Sequence, residues 1–133
     1  ILAAAGARQP KIKLPGLNLL PSMENGSDIP RDTIYGEGFD HDIADIENPE
    51  ASLLYRWCIQ DDWKLLLTYD GEVNRNPHRH PRTEKRPQLF NLRTDPHETT
   101  NLAGENPRVV ARMVKKIDDW WPVRERKVLT IFQ

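Results

Sequence analysis

The chain has 133 residues, of which 38% are hydrophobic and 29% are charged, a length and composition typical of one globular domain. Nineteen basic and twenty acidic residues leave a net charge of −1, so the overall charge predicts no particular partner. The one cysteine, Cys58, excludes an internal disulfide framework and a multi-cysteine zinc site. No apolar run approaches the roughly 18 residues that a membrane-spanning helix needs.

The N-terminal quarter of the chain carries little periodic pattern. Residues 1–7 are predicted to form the last turns of a helix that Gly6 terminates, which favours a chain cut from a longer protein. Residues 8–31 are rich in proline and glycine, and this composition predicts loops and turns. Three leucines are expected to anchor that stretch: Leu17, Leu19 and Leu20.

Alternating apolar residues predict a β-hairpin in the middle of the chain. One set is Leu53, Tyr55, Trp57 and Ile59, and the next is Trp63, Leu65, Leu67 and Tyr69. If both sets share one face, Ile59 must lie opposite Trp63, which requires the three-residue loop Gln60–Asp62. The opposite face would then carry the remaining side chains: Leu54, Arg56, Cys58, Lys64 and Leu66.

Two further strands and one helix complete the predicted fold. Strands are expected over residues 32–39, which end in a Gly36/Gly38 bend, and over residues 88–92. Asn106 is predicted as the N-cap of a helix whose first residue is Pro107 and which Pro122 ends. Its apolar residues repeat at helical spacing: Val109, Val110, Met113, Val114, Ile117, Trp120 and Trp121.

These elements predict an α+β fold, a small antiparallel sheet of about four strands with the C-terminal amphipathic helix packed across it. Residues 1–133 are expected to form a single domain, with a basic loop over residues 70–87 and a tail over residues 124–133. The tryptophans fit strand and helix faces, which favours core positions over a stacking platform for nucleic acid.

Asp40, His41 and Asp42 form a polar cluster directly after the first predicted strand. A histidine between two carboxylates could serve as an acid–base group, a metal ligand or a hydrogen-bond donor to a substrate. The alternative is a solvated polar loop.

The basic loop offers a second candidate site, because its cations Arg75, Arg79 and Arg82 could bind an anion such as a sulfated glycan or phosphate. The alternative is again a solvated loop. His78, His80 and His97 lack the paired spacing of known zinc sites, so no metal site is predicted. Cys58 is expected to be an inert buried thiol. The residues alone therefore predict a structural or binding domain without a visible catalytic set.

Several segments, in order, resemble the C-terminal part of the sulfatase family, within the alkaline-phosphatase-like superfamily. The most specific is Gln88–Ala103, which is similar to the family's pattern L-[YF]-[DN]-L-x-x-D-P-x-E-x-x-N-L. In that segment Asp95-Pro96 is expected to force a turn, and Glu98 and Asn101 to satisfy backbone donors. The resemblance spans roughly residues 1–121 and includes four other segments: Ile1–Ala7, Leu14–Pro21 (where Pro15 replaces the family's Asp), Ile34–Glu37 and Tyr55–Leu66.

The resemblance implies a parent protein that hydrolyses sulfate esters or sulfamates. Family members carry a formylglycine nucleophile, made from a Cys/Ser-x-Pro-x-Arg motif, and calcium ligands in a larger α/β domain. Cys58 has neither the proline nor the arginine of that motif, and Asp61-Asp62 lies in a predicted hairpin loop rather than in a family metal site. The isolated chain is therefore expected to be inactive, and the family's habit implies an exported or lysosomal parent.

The resemblance also implies a role for the fragment, which is to buttress the catalytic domain and supply part of the substrate-pocket rim. Asp40, His41 and Asp42 are the rim candidates. The alternatives are a stand-alone anion- or glycan-binding module that uses the basic loop, and the C-terminal domain of a related phosphate-ester hydrolase. Exposed apolar surface is expected to promote self-association, with candidates in the Ile1–Ala7 segment and in Leu54, Cys58 and Leu66.

Overall fold

A computed structural model describes residues 1–8, 10–12, 14, 16–40, 45–68 and 85–123 of the chain. They belong to two compact units, Ile1–Asp32 and Thr33–Gln133. The first unit contains helix α1, Leu20–Asn25. The second contains strands β1 to β4 and helix α2, with a 3₁₀ helix over Pro49–Ser52. Their bounds are Thr33–Phe39 (β1), Leu53–Gln60 (β2), Trp63–Thr68 (β3), Gln88–Asn91 (β4) and Pro107–Trp120 (α2).

The first unit begins with a turn that has the hydrogen bonds of a helix C-terminus. Gly6 adopts a φ of 62°, its N–H donates to the carbonyl of Ala3, and the N–H of Ala7 donates to the carbonyl of Leu2. This pair of bonds around a left-handed glycine is the Schellman arrangement. Residues 1–7 therefore have the local geometry that the alanine run and Gly6 predicted.

Helix α1 occupies part of the stretch that was predicted to contain only loops and turns. Pro21 stands in its first turn, and Gly26, at a φ of 70°, ends it, as proline and glycine commonly do. The prediction that three leucines anchor this stretch is wrong for Leu17 and Leu19, which are exposed. A six-residue helix has too little surface to enclose a core, and no described residue of this unit is buried.

The second unit confirms the predicted α+β fold. Its four strands form an antiparallel sheet in the order β1-β2-β3-β4, so each strand pairs with its neighbour in sequence. Helix α2 packs across one face of this sheet. The residues buried between them form the core: Cys58, Leu65, Leu89, Met113 and Ile117.

The predicted register of the central hairpin is wrong by one residue. Gln60 lies opposite Trp63 and Ile59 lies opposite Lys64, so the loop is the two-residue Asp61-Asp62. Asp61 adopts a φ of 52°, a conformation that aspartate tolerates better than most residues. Apolar residues occur on both faces of both strands, so alternation alone did not determine which sets share a face.

This register distributes the side chains of β2 and β3 between the two faces of the sheet differently from the prediction. Cys58 lies opposite Leu65 under α2 and therefore does not share the second face with Leu66. The face away from α2, called here the outer face, carries side chains that the strand pairing aligns across the sheet. They are Ile34, Tyr55, Trp57, Ile59, Lys64, Leu66, Thr68, Gln88 and Phe90.

Helix α2 begins and ends close to the predicted residues. Pro107 is its first residue and Asn106 precedes it, but the Asn106 side chain makes no capping bond. Its Nδ2 instead donates to the carbonyl of Leu102 at 3.0 Å, so the predicted cap is wrong in its chemistry. The last helical residue is Trp120, two positions before Pro122.

Trp57 packs closely against the backbone of β1 at Gly36 on the outer face. Gly36 is its cross-strand neighbour, and a Cβ atom placed on Gly36 would overlap Cζ2 and Cε2 of Trp57 and lie 2.8 Å from its Nε1. At Gly38 the nearest atom to such a Cβ is Cδ2 of Tyr55 at 3.5 Å, an ordinary contact. Glycine is thus sterically required at position 36 but not at position 38.

We predict that Gly36→Ala destabilises the fold, whereas Gly38→Ala does not. Alanine is favoured over glycine in a strand, but at position 36 the overlap displaces the Trp57 indole, and overpacking of this kind costs about 1–3 kcal/mol. Urea denaturation followed by circular dichroism measures both variants. Equal unfolding midpoints for the two would contradict the close packing of Trp57 on Gly36.

Candidate functional site

The polar cluster after β1 is described only at its first residue. Asp40 is 3% exposed, and its backbone N–H donates to the carbonyl of Ser52 at 2.8 Å. This bond ties the end of β1 to the 3₁₀ helix that precedes β2. His41 and Asp42 lie outside the described residues.

Residues 70–84 of the basic loop also lie outside the described residues, and with them Arg75, Arg79, Arg82, His78 and His80. His97, in the turn after β4, is exposed. Among residues 1–40, 45–68 and 85–123, as far as the structure describes them, no three His, Cys, Asp or Glu side chains are grouped to hold a metal ion. These residues therefore do not fit a calcium site.

Cys58 is a core residue rather than a reactive thiol. It is fully buried between the sheet and α2, with its Sγ 3.9 Å from the carbonyl oxygen of Met113. Burial raises the pKa of its thiol to about 11, and the nearby positive charge of Lys116 only partly opposes this. The thiolate, which is the reactive form, is therefore scarce at neutral pH. Its packing agrees with the predicted inert role and does not fit a formylglycine precursor.

The most organised polar region that the structure describes is the turn after β4, within the segment that resembles the sulfatase pattern. Asp95 Oδ2 accepts hydrogen bonds from the N–H groups of Thr100 at 2.9 Å and Thr99 at 2.8 Å, and Oδ1 accepts one from the Thr99 hydroxyl at 3.0 Å. These bonds hold the pKa of Asp95 below its usual range, and the bond from the Thr100 N–H has the largest effect. Asp95 is thus the centre of the turn.

Asn101 fastens the same turn to the sheet. Its Oδ1 accepts bonds from the N–H groups of Leu89 and Ala103, both at 3.0 Å, and its Nδ2 donates to the carbonyl of Pro87 at 3.3 Å. The N–H of Leu102 donates to the carbonyl of Leu89 at 2.8 Å. Asn101 therefore satisfies backbone groups of β4 and of the turn, in the way its motif position predicted.

Glu98 was predicted to satisfy backbone donors, and this prediction is wrong. Its side chain instead binds a lysine on the outer face. Both of its carboxylate oxygens accept bonds from Lys64 Nζ, at 2.6 and 2.8 Å. Lys64 Nζ also lies 5.6 Å from the centre of the Trp57 ring, within cation–π range. Glu98 adopts a left-handed φ of 56°, which is uncommon for a residue other than glycine.

Four aromatic side chains meet where α2 ends beside β1. The rings of Tyr35 and Trp120 stack with their centres 5.0 Å apart and their planes 12° apart. Phe39 and Trp121 lie 5.9 Å apart, and the two tryptophans meet edge to face at 6.1 Å. The sequence pattern assigned both tryptophans to the helix core, but Trp120 is exposed. Strand alternation places Tyr35 and Phe39 on the same face of β1, and this was the sequence signal from which the cluster could have been predicted.

Arg56 links the sheet to the same end of α2. Its Nη1 donates to Asp118 Oδ1 at 2.9 Å and to the carbonyl of Trp121 at 3.0 Å. The last carbonyls of a helix lack partners within the helix and carry its partial negative charge. The Arg56 side chain, which is only 12% exposed, therefore holds the helix terminus in place through its guanidinium group.

Comparison with solved structures finds the same fold within sulfatase chains. One is a sulfatase from the locus with which Bacteroides thetaiotaomicron metabolises multiple glycosaminoglycans, with a TM-score of 0.62 and 17% identity over 90% of this chain. Another was solved in complex with its substrate D-glucosamine-2-N,6-O-disulfate, with a TM-score of 0.63 and 19% identity over 92% of this chain. The match spans 22% of either of those chains.

The other comparisons find nothing: no protein-family model and no curated protein sequence matches the chain. No helix in the described ranges has both the length and the apolar character that a membrane crossing requires. By the comparison with solved structures, the chain shares its fold with a region of the sulfatase chains.

We predict that the Asp95 turn makes stability depend on pH in the acid range. A carboxylate whose pKa is lower in the folded state stabilises the fold fully above its unfolded value of about 3.9, and this stabilisation is lost as the pH falls below that value. The advantage of the wild type over Asp95→Asn should therefore be largest near neutral pH and shrink on acidification.

Urea denaturation between pH 3 and pH 7 measures this difference. Thr99→Ala is the matched control, because it removes the hydroxyl bond and keeps both backbone bonds, so most of the pH dependence should remain. A constant difference between wild type and Asp95→Asn across the range would show that the carboxylate charge is irrelevant to the turn.

Proposed function

We propose that this chain is the C-terminal part of a sulfatase, and that it supports the domain in which the full protein hydrolyses sulfate esters. The observation that carries the proposal is the fold match, which covers nine tenths of this chain and about a fifth of each sulfatase chain. One of those chains acts on a disulfated glucosamine, so a sulfated sugar is the proposed class of substrate.

The turn after β4 supports the same proposal independently of the fold match. The residues through which Gln88–Ala103 resembles the sulfatase pattern include Asp95 and Asn101, which make the bonds that shape the turn and join it to β4. The residues of the pattern therefore have a structural role in the turn, which supports the resemblance.

The exposed apolar side chains of the first unit indicate that it folds against a larger body. This unit has no buried residue among those described, whereas a stable unit must bury apolar area to offset its lost chain entropy. Its large exposed apolar residues are Ile1, Ile12, Leu14, Leu17, Leu19, Met23 and Ile29. A catalytic domain against which they pack would supply the missing core.

In this proposal the chemistry belongs to the remainder of the protein. Formylglycine and calcium are the groups that the sulfatase resemblance implies, and the described residues of this chain fit neither. The chain's own contribution is structural support and, through Asp40, His41 and Asp42, part of the pocket rim. Asp40 anchors the cluster by its backbone bond to Ser52, and His41 and Asp42 follow it in sequence.

We predict that the full-length product of the gene releases sulfate from sulfate esters and that the 133-residue chain alone does not. Sulfate release from an aryl sulfate and from 6-O-sulfated glucosamine measures both proteins, with and without a calcium chelator. An aryl phosphate is the discriminating substrate, since preferential phosphate release would indicate a related phosphate-ester hydrolase. Absence of sulfate release by the full-length protein on every ester would contradict the proposal.

We also predict that His41→Ala in the full-length protein changes kcat/KM for sulfated sugars by about 10-fold or more, as loss of a hydrogen bond to a charged substrate group does. His97→Ala is the matched control, because His97 is exposed in a structural turn and should leave the kinetics unchanged. Unaltered kinetics of His41→Ala on all substrates would remove the polar cluster from the rim.

A further inference from the structure

We infer that the outer face of the sheet is the surface that docks onto the catalytic domain. This inference rests on the proposed function and adds the face and its chemistry. The outer face is rich in apolar and aromatic side chains, among them Ile34, Tyr55, Trp57 and Ile59. Ile34 is 51% exposed, although it lies in a strand and directly opposite Ile59.

The side chains of the outer face are more exposed at the β1 edge of the sheet than at the β4 edge. Toward β4, Phe90 is buried and the Lys64–Glu98 ion pair lies beside it in the register. Toward β1, Gly36 has no side chain, the Trp57 indole occupies the space that a Cβ of residue 36 would take, and the neighbouring Ile34 is exposed. The part of the face around Ile34 is therefore apolar and aromatic, with Ile34 exposed and Tyr55, Trp57 and Ile59 half-buried, a composition common at the centres of stable interfaces.

The charges of the outer face define the surface that fits it. Its one cation, Lys64, is held by both oxygens of Glu98, so the face presents little net charge. Its complement is an apolar surface without charged side chains at its centre, because an unpaired charge there would lose its hydration without gaining a partner.

The opposite side of the second unit has a different character. The outward residues of α2 are mostly charged and exposed: Arg108, Ala111, Arg112, Lys115 and Asp119. This pattern is typical of a helix face in contact with water. The contrast assigns the solvent side to α2 and the docking side to the outer face.

A catalytic domain is the occupant that the comparisons favour over a second copy of this chain. In both sulfatase structures the matched region is 22% of the chain, so the same fold is there covalently joined to a much larger body. A covalent linkage gives a very high effective concentration, which favours the linked domain over an identical chain free in solution.

Cysteine labelling in the full-length protein tests the inference. Ile34→Cys is a small change on an exposed strand position, and Ala111→Cys on the exposed side of α2 is its control; Cys58 has a raised thiol pKa and contributes little background. Maleimide labelling is read at each position by peptide mass spectrometry and normalised to the rate in denaturant. We expect Ile34→Cys to react at least ~10-fold more slowly than Ala111→Cys in the native protein.

Each outcome decides between the inference and its rivals. Equal rates at the two positions overturn it. Protection of Ile34→Cys that disappears on dilution indicates a second copy and overturns the assigned occupant. Protection that persists on dilution, in a protein that releases sulfate, supports it. If protection persists but no ester yields sulfate, the proposed function has failed, and the assignment of a sulfatase domain fails with it.

As a second variant, Ile34→Glu should lower the melting temperature of the full-length protein, with Ala111→Glu unchanged. A carboxylate at position 34 is tolerated by a solvated strand but is costly in an apolar interface. Unchanged melting of Ile34→Glu overturns the inference even where labelling is ambiguous.

Discussion

The structure depends on one row of buried contacts that runs across the sheet beneath α2. Cys58 pairs with Leu65, and Leu65 pairs with Leu89, while Met113 and Ile117 cover them from the helix. Because side chains alternate along a strand, burying this row fixes which residues of every strand face the helix. The outer face, with Trp57 and Ile34, is the necessary consequence. A one-residue shift of the hairpin would exchange the two faces.

Polar contacts hold this layered core at its margins. Arg56 binds the last turn of α2 through Asp118 and the Trp121 carbonyl, and the stacked rings of Tyr35 and Trp120 lie at the same end. The turn after β4 is shaped by Asp95 and fastened by Asn101. These contacts stabilise a scaffold, and the described residues contain no cluster suited to metal binding. The proposed role as a supporting domain rests on the fold match to a region of the sulfatase chains.

Sequence alone predicted the elements of the second unit because their patterns are local. Alternation in residues 53–67 marked two strands, and helical spacing from Val109 to Trp120 marked α2. It did not predict the hairpin register, since both faces of β2 and β3 carry apolar residues. Nor did it predict the Lys64–Glu98 pair, whose members are 34 positions apart, or the burial of Asp40. Of the proposed rim, only Asp40 lies within the described residues, so His41 and Asp42 stay predictions.

We propose that this fold serves a sulfatase whose catalytic groups lie elsewhere in the same protein. Sequencing the reading frame upstream of Ile1 in the source gene tests it most directly. We expect a continuous frame that encodes a Cys/Ser-x-Pro-x-Arg motif together with acidic metal ligands. A continuous upstream frame that encodes a domain without these residues would contradict it, and the chain would then have to be studied as a binding module.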